Sequence, residues 1–502
     1  MAIHSQQYSV NIENLSGIWR NTPQFISFFA ALTCIAPLLF VLSVSQTHAE
    51  SLNDAMVAAY KRNLLLQAER FKARASDEGV ARALSGYRPK VTAFGNYRVS
   101  SEGGGGLDGF DNGSVGYGVR LDQPLFDGFK TQSSVDEAES NVHVARNDLL
   151  ARENSILFET ARAYLEVLRD EGILLLRKRN VTSLRRELIG TRDRYDRGQG
   201  TVTDVEQVKI RLAASRSALK AAEAQLQTSQ LRYARVTRKP PEHLKMPKFP
   251  EILMPKTLTE AVKLANEANP EVAAAHHRSE AALHAVEKQR ADFLPKADLS
   301  AGYSSEDDVS FNDVISNNGE EDNFFVRAQI NIPLYQGGEV SARVREASHI
   351  AESLERSKRD TEVRMAEAVG SVWAQLKAAR QRRLSDQEAV IASEKALEGI
   401  REELRIGQRT VMDLLDADKE LVESRIRLLG TKRDLHVSAY ELLNAMGILT
   451  VDRIDPSVQR YDPKAYYQKV RNKLWGSDTP KTGDEDYLGQ SYLKNTQSSA
   501  IK

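Results

Sequence analysis

The sequence predicts a mixed α and β protein with an internal duplication. Each half contributes two membrane-length strands and one helix too long for a compact globule. Three observations carry this expectation. Segments of the first half recur in the second at a nearly constant spacing. Four runs of about ten residues alternate apolar and polar side chains, the period of a strand with two unlike faces. Two stretches of 68 residues, Lys130 to Arg197 and Glu339 to Ile406, contain no proline and keep apolar residues at three- and four-residue intervals.

The chain has 502 residues, with 69 Lys+Arg against 69 Asp+Glu and 27% charged residues. A balanced charge argues against a nucleic-acid binder. Negative mean hydropathy excludes a bundle of membrane-spanning helices, each of which needs an apolar run of about 20 residues. One such run exists, Phe25 to Val44, followed by Thr47-His48-Ala49. Small residues at 47 and 49 suit signal-peptidase cleavage, so residues 1–49 are read as a signal peptide and Glu50 as the mature start. The sole cysteine, Cys34, lies inside that run. The mature chain then has no disulfide and no thiolate metal site, and it works outside the cytoplasm.

The duplication sets the domain plan. Ser51-Leu52-Asn53-Asp54-Ala55 resembles Thr257-Leu258-Thr259-Glu260-Ala261, and Arg88-Pro89-Lys90 resembles Leu294-Pro295-Lys296, both at an offset of 206. Pro124-Leu125-Phe126-Asp127-Gly128 matches Pro333-Leu334-Tyr335-Gln336-Gly337 at an offset of 209, as does Gly198 to Asp204 with Gly407 to Asp413. The three-residue difference therefore arises between Tyr97 and Pro124, where the glycine-rich stretch of the first repeat faces a counterpart three residues longer in the second, both in loop chemistry. The expected plan is a first repeat over 50–240, a linker over 241–256, a second repeat over 257–450 and a polar tail over 451–502. The tail's tyrosines suggest that it wraps the helical part, with a disordered end past about Gly476.

In order, each repeat starts with a helical stretch, such as Leu52 to Leu84. Two strands follow. Val91, Ala93, Gly95, Tyr97 and Val99 share one face of the first, with Phe94 out of pattern. Val115, Tyr117, Val119 and Leu121 share a face of the second. Ala297, Leu299, Ala301 and Tyr303 do so in the third, and Phe324, Val326, Ala328, Ile330 and Ile332 in the fourth. Apolar-out, polar-in strands of this length suit a water-filled transmembrane barrel. The long helix comes next and could reach about 100 Å at 1.5 Å per residue; its spacing gives a coiled-coil-like seam. A glycine-marked turn and a shorter helix complete the repeat. Four strands cannot close a barrel, and an open edge in lipid leaves backbone groups unpaired. Other subunits must close it. Three chains give twelve strands; two chains, giving eight, satisfy the same argument.

These features together resemble the TolC-type outer-membrane efflux and type I secretion channel proteins over roughly residues 51–450. The resemblance rests on the duplicated plan, the strand-exit turns QPLFDGF (123–129) and IPLYQGG (332–338), and the tip sequences YDRGQGTVTDV (195–205) and LRIGQRTVMDLLDAD (404–418). It implies a homotrimer: a 12-stranded outer-membrane β-barrel, four strands per chain, continuous with a long periplasmic α-helical barrel. It further implies an exit duct, with no catalytic site and no cofactor, served by a periplasmic adaptor and an inner-membrane transporter of RND or ABC type. Asp413 and Asp416, three apart on one helix face, would form stacked carboxylate rings at a cation-selective periplasmic constriction, crowded carboxylates raising one another's pKa. The resemblance places Arg409 in a gate latch with Thr203 and Asp204. A tyrosine expected before the second tip is Leu404, which removes one latch bond. Gly198, Gln199, Gly407 and Gln408 fall where the adaptor would touch.

Other signals carry less. Gly103 to Asp108 fits a single calcium nonapeptide repeat, which binds only in tandem. His276, His277 and His284, without a fixed carboxylate partner, read as surface residues. No HExxH, GxSxG or phosphate-binding Gly-Lys loop occurs. The rival architectures, a periplasmic coiled-coil adaptor or a scaffold, leave four alternating strands at repeat positions without a purpose.

Overall fold

The computed structural model describes residues 50–100, 112–310 and 321–477. The signal segment, the Gly103–Asp108 loop and the tail past residue 477 lie outside the described residues. The first repeat runs α1 (Leu52–Arg62), α2 (Leu64–Leu84), β1 (Lys90–Ser100), β2 (Asn112–Phe126), α3 (Lys130–Asp196) and α4 (Val202–Thr237). The second runs α5 (Leu258–Ala268), α6 (Pro270–Arg290), β3 (Lys296–Ser310), β4 (Glu321–Asn331), α7 (Glu339–Arg405) and α8 (Val411–Ala445). Two short helices follow, α9 (Val451–Ile454) and α10 (Lys464–Val470). The two long helices have 67 residues each, one fewer than the proline-free stretches, because Arg197 and Ile406 become C-caps.

The stretch expected as one helix over 52–84 is broken at Asn63. Its backbone is extended (φ −68°, ψ 123°), and its side-chain Oδ1 accepts from the amides of Leu65 and Leu66 at 3.0 and 3.4 Å. Its Nδ2 donates to the Val236 carbonyl at 3.0 Å, tying the break to the end of α4. Asn269 repeats the device: Oδ1 accepts from Glu271 at 2.7 Å, Nδ2 donates to the Ala445 carbonyl at 2.8 Å, and Pro270 starts α6. A buried asparagine serves here as N-cap and as cross-brace at once.

The strands form one antiparallel sheet in the order β1-β2-β3-β4. β2 and β3 join the repeats. β2 and β3 have 15 residues each, longer than the ten expected; β2 continues to Phe126 through an irregularity between Pro124 and Phe126. The register lines up the apolar positions across all four strands: Ala93 opposite Val119, Val119 opposite Tyr303, Tyr303 opposite Phe324. The next row is Val91, Leu121, Ala301 and Val326. Val91, Tyr97, Tyr117, Val119, Phe324, Val326 and Ile330 are all exposed on that common face. Phe94, the exception to alternation, lies on the other face opposite Gly118, where its ring occupies the space a Cβ would need. Phe325 covers Gly302 in the same way. In each pair an aromatic covers a bare glycine on the otherwise polar face.

The helices pack lengthwise. α3 lies against α4, α2, α6 and α8, and α7 against α8 and α6. The main core gathers Met56 and Tyr60 (α1), Leu157 and Tyr164 (α3), Tyr233 (α4), Val369 (α7) and Leu442 (α8). The segment after α8 packs on the first repeat: the amide of Tyr461 donates to the Tyr60 hydroxyl at 2.8 Å, and Arg74 Nε donates to the Tyr461 hydroxyl at 3.1 Å. The described part of the tail thus packs on α1 and α2 of its own chain.

Candidate functional site

The site is built from the tips of two helical hairpins, α3–α4 and α7–α8. Each long helix ends in the same way. At the first tip Gly198 (φ 75°) donates to Tyr195 O and Gln199 to Arg194 O, both at 2.8 Å. At the second, Gly407 (φ 78°) donates to Leu404 O at 3.0 Å and Gln408 to Glu403 O at 2.9 Å. These are paired 5→2 and 6→1 closures around a left-handed residue. Nothing lies within 4 Å of a Cβ built on either glycine, so the requirement is conformational and the space beside the turn is free. Gln199 and Gln408 are exposed.

Each return helix starts with a reciprocal cap. At α4, the Thr201 amide and hydroxyl donate to Asp204 Oδ2 at 3.0 and 2.7 Å, and the Asp204 amide donates back to Thr201 at 3.1 Å. At α8, the Thr410 amide and hydroxyl donate to Asp413 Oδ2 at 2.9 and 2.8 Å, and the Asp413 amide returns at 3.2 Å. Asp204 and Asp413 are therefore equivalent residues of the duplication. One oxygen of Asp413 is committed to its own helix start. The bonds from the Thr410 backbone and hydroxyl, with Arg409 nearby, hold its carboxyl below the usual carboxylate range.

Asp416 is exposed and also engaged: Arg211 on α4 donates to its Oδ1. This ion pair joins the two hairpins of one chain. The latch implied for Arg409 does not form within the chain. Its Nε donates to Glu403 Oε2 at 2.7 Å, inside the second hairpin, while the Asp204 carboxylate is held by Thr201 and Thr203 is exposed. Leu404, in place of a tyrosine, packs in two apolar clusters. One joins it to Val181, Leu184, Val208, Leu212, Val411 and Leu415 across both hairpins, and the other to Leu397, Leu414 and Leu421. Greasy packing here takes the place of a hydroxyl bond.

A second cross-hairpin link lies deeper. The Ser215 hydroxyl donates to Asn180 Oδ1 at 2.6 Å, and Asn180 Nδ2 donates to Asp418 Oδ2 at 3.0 Å. Burial pushes the Asp418 carboxyl up. Sequence reasoning missed Arg211, Asn180 and Asp418. Their partners are 205 and 238 residues away, so no local pattern marks them. It also missed the partner of the histidines: Glu280 lies 3.1 Å from His276 Nε2 and 2.7 Å from His277 Nδ1, a fixed carboxylate where none was expected.

The arrangement has no nucleophile–base pair at the tips. It offers charged and hydrogen-bonded links that open or close between helices. The family model "Outer membrane efflux protein" matches residues 56–237 and 261–448, one match per repeat. The outer membrane efflux protein BepC of Brucella suis is 33% identical over 443 residues, covering 88% of this chain and 94% of the relative. The alkaline protease secretion protein AprF of Pseudomonas aeruginosa is 24% identical over 339 residues, covering 66% and 69%. Among solved structures, the Campylobacter jejuni CmeC outer membrane channel superposes with a TM-score of 0.71 at 14% identity, covering 85% of this chain and 90% of that one. The chain belongs to the outer membrane efflux protein family, whose members are channels rather than enzymes, with its sheet in the outer membrane and its helical hairpins in the periplasm.

Proposed function

We propose that this chain forms a homotrimeric exit duct of tripartite efflux pumps or type I secretion machines. Three four-stranded sheets close a 12-stranded barrel, and the helices of three chains form the periplasmic tunnel. Residues 1–49 direct export and are removed. The duct holds no energy source; an inner-membrane transporter and a periplasmic adaptor supply drive and selection, and drugs, amphiphiles or proteins pass through. The observation that carries this reading is the sheet. Its exposed apolar rows continue without interruption across four strands, and both edge strands, β1 and β4, have a partner on one side only. Such a sheet is stable in lipid only when its edges are paired. The secretion protein AprF supports the type I branch, and BepC the efflux branch.

Asp413 and Asp416 line the constriction in this reading. Asp413 is anchored by the α8 cap, and Asp416 is balanced by Arg211. Arg409, bound to Glu403 in this chain, is the latch residue of this reading toward Thr203 and Asp204 at the other tip. The Gly198-Gln199 and Gly407-Gln408 turns, exposed and unobstructed, receive the adaptor. Single-channel conductance in a planar bilayer tests the duct. The wild type should give a small, cation-preferring conductance, and Asp413→Ala/Asp416→Ala a larger one without that preference. A monodisperse protein, water-soluble without detergent and silent in the bilayer, would overturn the duct in favour of a periplasmic adaptor or scaffold.

A further inference from the structure

Among the described residues, one cluster outside the tips brings metal-ligating side chains together. His276, His277 and Glu280 lie on α6 with one ligand atom each, all within 4.8 Å of one another. We propose that they form a binding site for a divalent first-row transition ion of the zinc type, one per chain.

The helix itself builds the site. At 100° per residue, Glu280 falls angularly between His276 and His277, so one carboxylate reaches both rings: Oε1 to His276 Nε2 at 3.1 Å and Oε2 to His277 Nδ1 at 2.7 Å. Metal–ligand bonds of 2.0–2.2 Å place adjacent ligand atoms about 3.3 Å apart in a tetrahedral site. Both His–Glu separations fall a few tenths of an ångström short of that value, and no two of the three ligand atoms are more than 4.8 Å apart, so loading needs only small side-chain adjustments. Two imidazoles and a carboxylate suit zinc, nickel or copper over magnesium or calcium, which take all-oxygen shells. All three side chains are partly exposed, at 55%, 25% and 41%, so an ion can enter and water can hold the fourth position.

The neighbours of the cluster are identified by their contacts. The His143 ring, on α3, stacks on that of His277 with centroids 4.8 Å apart. Arg278, the nearest cation in sequence, is drawn away by Asp148 at 2.6 Å. The duplication supplies an internal comparison. At the offset of 206, the equivalents are Arg70, Phe71 and Arg74. Those arginines lie over the Tyr461 ring, 5.1 and 5.7 Å from its centroid. The first repeat uses this helix face to hold the segment after α8; the second carries a ligand set there.

The test uses tag-free, chelator-treated protein in detergent, titrated calorimetrically with Zn2+ alone. Wild type should bind one saturable Zn2+ per chain. His276→Ala/His277→Ala should weaken that binding more than about tenfold, and His349→Ala, a histidine on α7, should leave it unchanged. Glu280→Gln, which keeps the shape, is read with Co2+. The wild-type visible absorption of a four-coordinate site should disappear in the variant, which guards against misfolding of the double mutant. Saturable binding that survives both sets of substitutions would place the ion elsewhere and overturn the proposal. Absence of saturable binding below about 1 mM would overturn it as well.

Discussion

In the proposed duct, breaking the Arg211–Asp416 pair should loosen the periplasmic entrance by a bounded amount. The pair is the direct charge link between the two hairpin tips of one chain, and its side chains are 30% and 59% exposed. An ion pair at that exposure is worth about 0.2–1 kcal/mol. At 25 °C this is about a 1.4- to 5-fold shift in the closed-to-open ratio. The assay is a double-mutant cycle of Arg211→Ala, Asp416→Ala and both, read as open probability of single channels. Each single variant should raise open probability within that range. The double variant should raise it by less than the product of the two singles, because removing the second partner of a broken pair costs nothing more. The coupling should shrink when salt rises from about 0.1 to 1 M, as the Debye length falls from about 10 to 3 Å. Multiplicative effects would show that the two residues do not act as a pair. A fall in open probability would show that Asp416 props the entrance open, refuting the link as drawn.

Three further outcomes follow from the geometry. Asn63→Ala removes a cap and strands the Val236 carbonyl, and should cost about 2–4 kcal/mol in urea denaturation at fixed protein concentration; Asn269→Ala should behave alike. Asp77, 2% exposed and facing Arg146 at 3.6 Å, has its carboxyl pushed up to about 6, chiefly by burial. An acid with a raised folded pKa is protonated in the native state first, so it costs stability as pH rises from about 4 to 6 and holds that cost above. Asp77→Asn should therefore gain about 2 kcal/mol relative to wild type between pH 4 and pH 7, measured as the difference of two denaturation curves at each pH. Gly198→Ala or Gly407→Ala forces a Cβ into left-handed backbone at about 1–2 kcal/mol each, and should speed hydrogen exchange at the affected tip while leaving the main core protected.

Much of the fold was legible because the duplication let each half check the other. The glycine-marked turns at 128, 198, 338 and 407 bounded α3 and α7 to within about one residue, and alternation placed the apolar rows that the register then aligned. The helix break at Asn63 was missed because Leu64 to Leu84 continues a helical pattern, and only the distant Val236 carbonyl makes the extended backbone worthwhile. Phe94 broke the alternation for a reason that lives on the next strand, in a glycine with no side chain. At the tips, the Thr-x-x-Asp spacing of 201–204 and 410–413 was in plain view as a capping signature; reading Asp413 only as a pore charge overlooked that the helix start uses it first. Arg211, Asn180 and Asp418 depend on how two hairpins lie together, which spacing within either hairpin does not encode.

The unpaired sides of β1 and β4 bear on biogenesis. Each edge strand has 11 residues, and roughly half of them turn their N–H and C=O groups outward. At several kcal/mol for each group stranded in hydrocarbon, a lone sheet is expelled from a bilayer however greasy its outer rows are. In the proposed trimer, chains therefore meet before, or while, the strands enter lipid. In that proposed assembly the long helices, which pack lengthwise within each chain, would hold subunits together first, so that the part of the molecule outside the membrane schedules the insertion of the part within it.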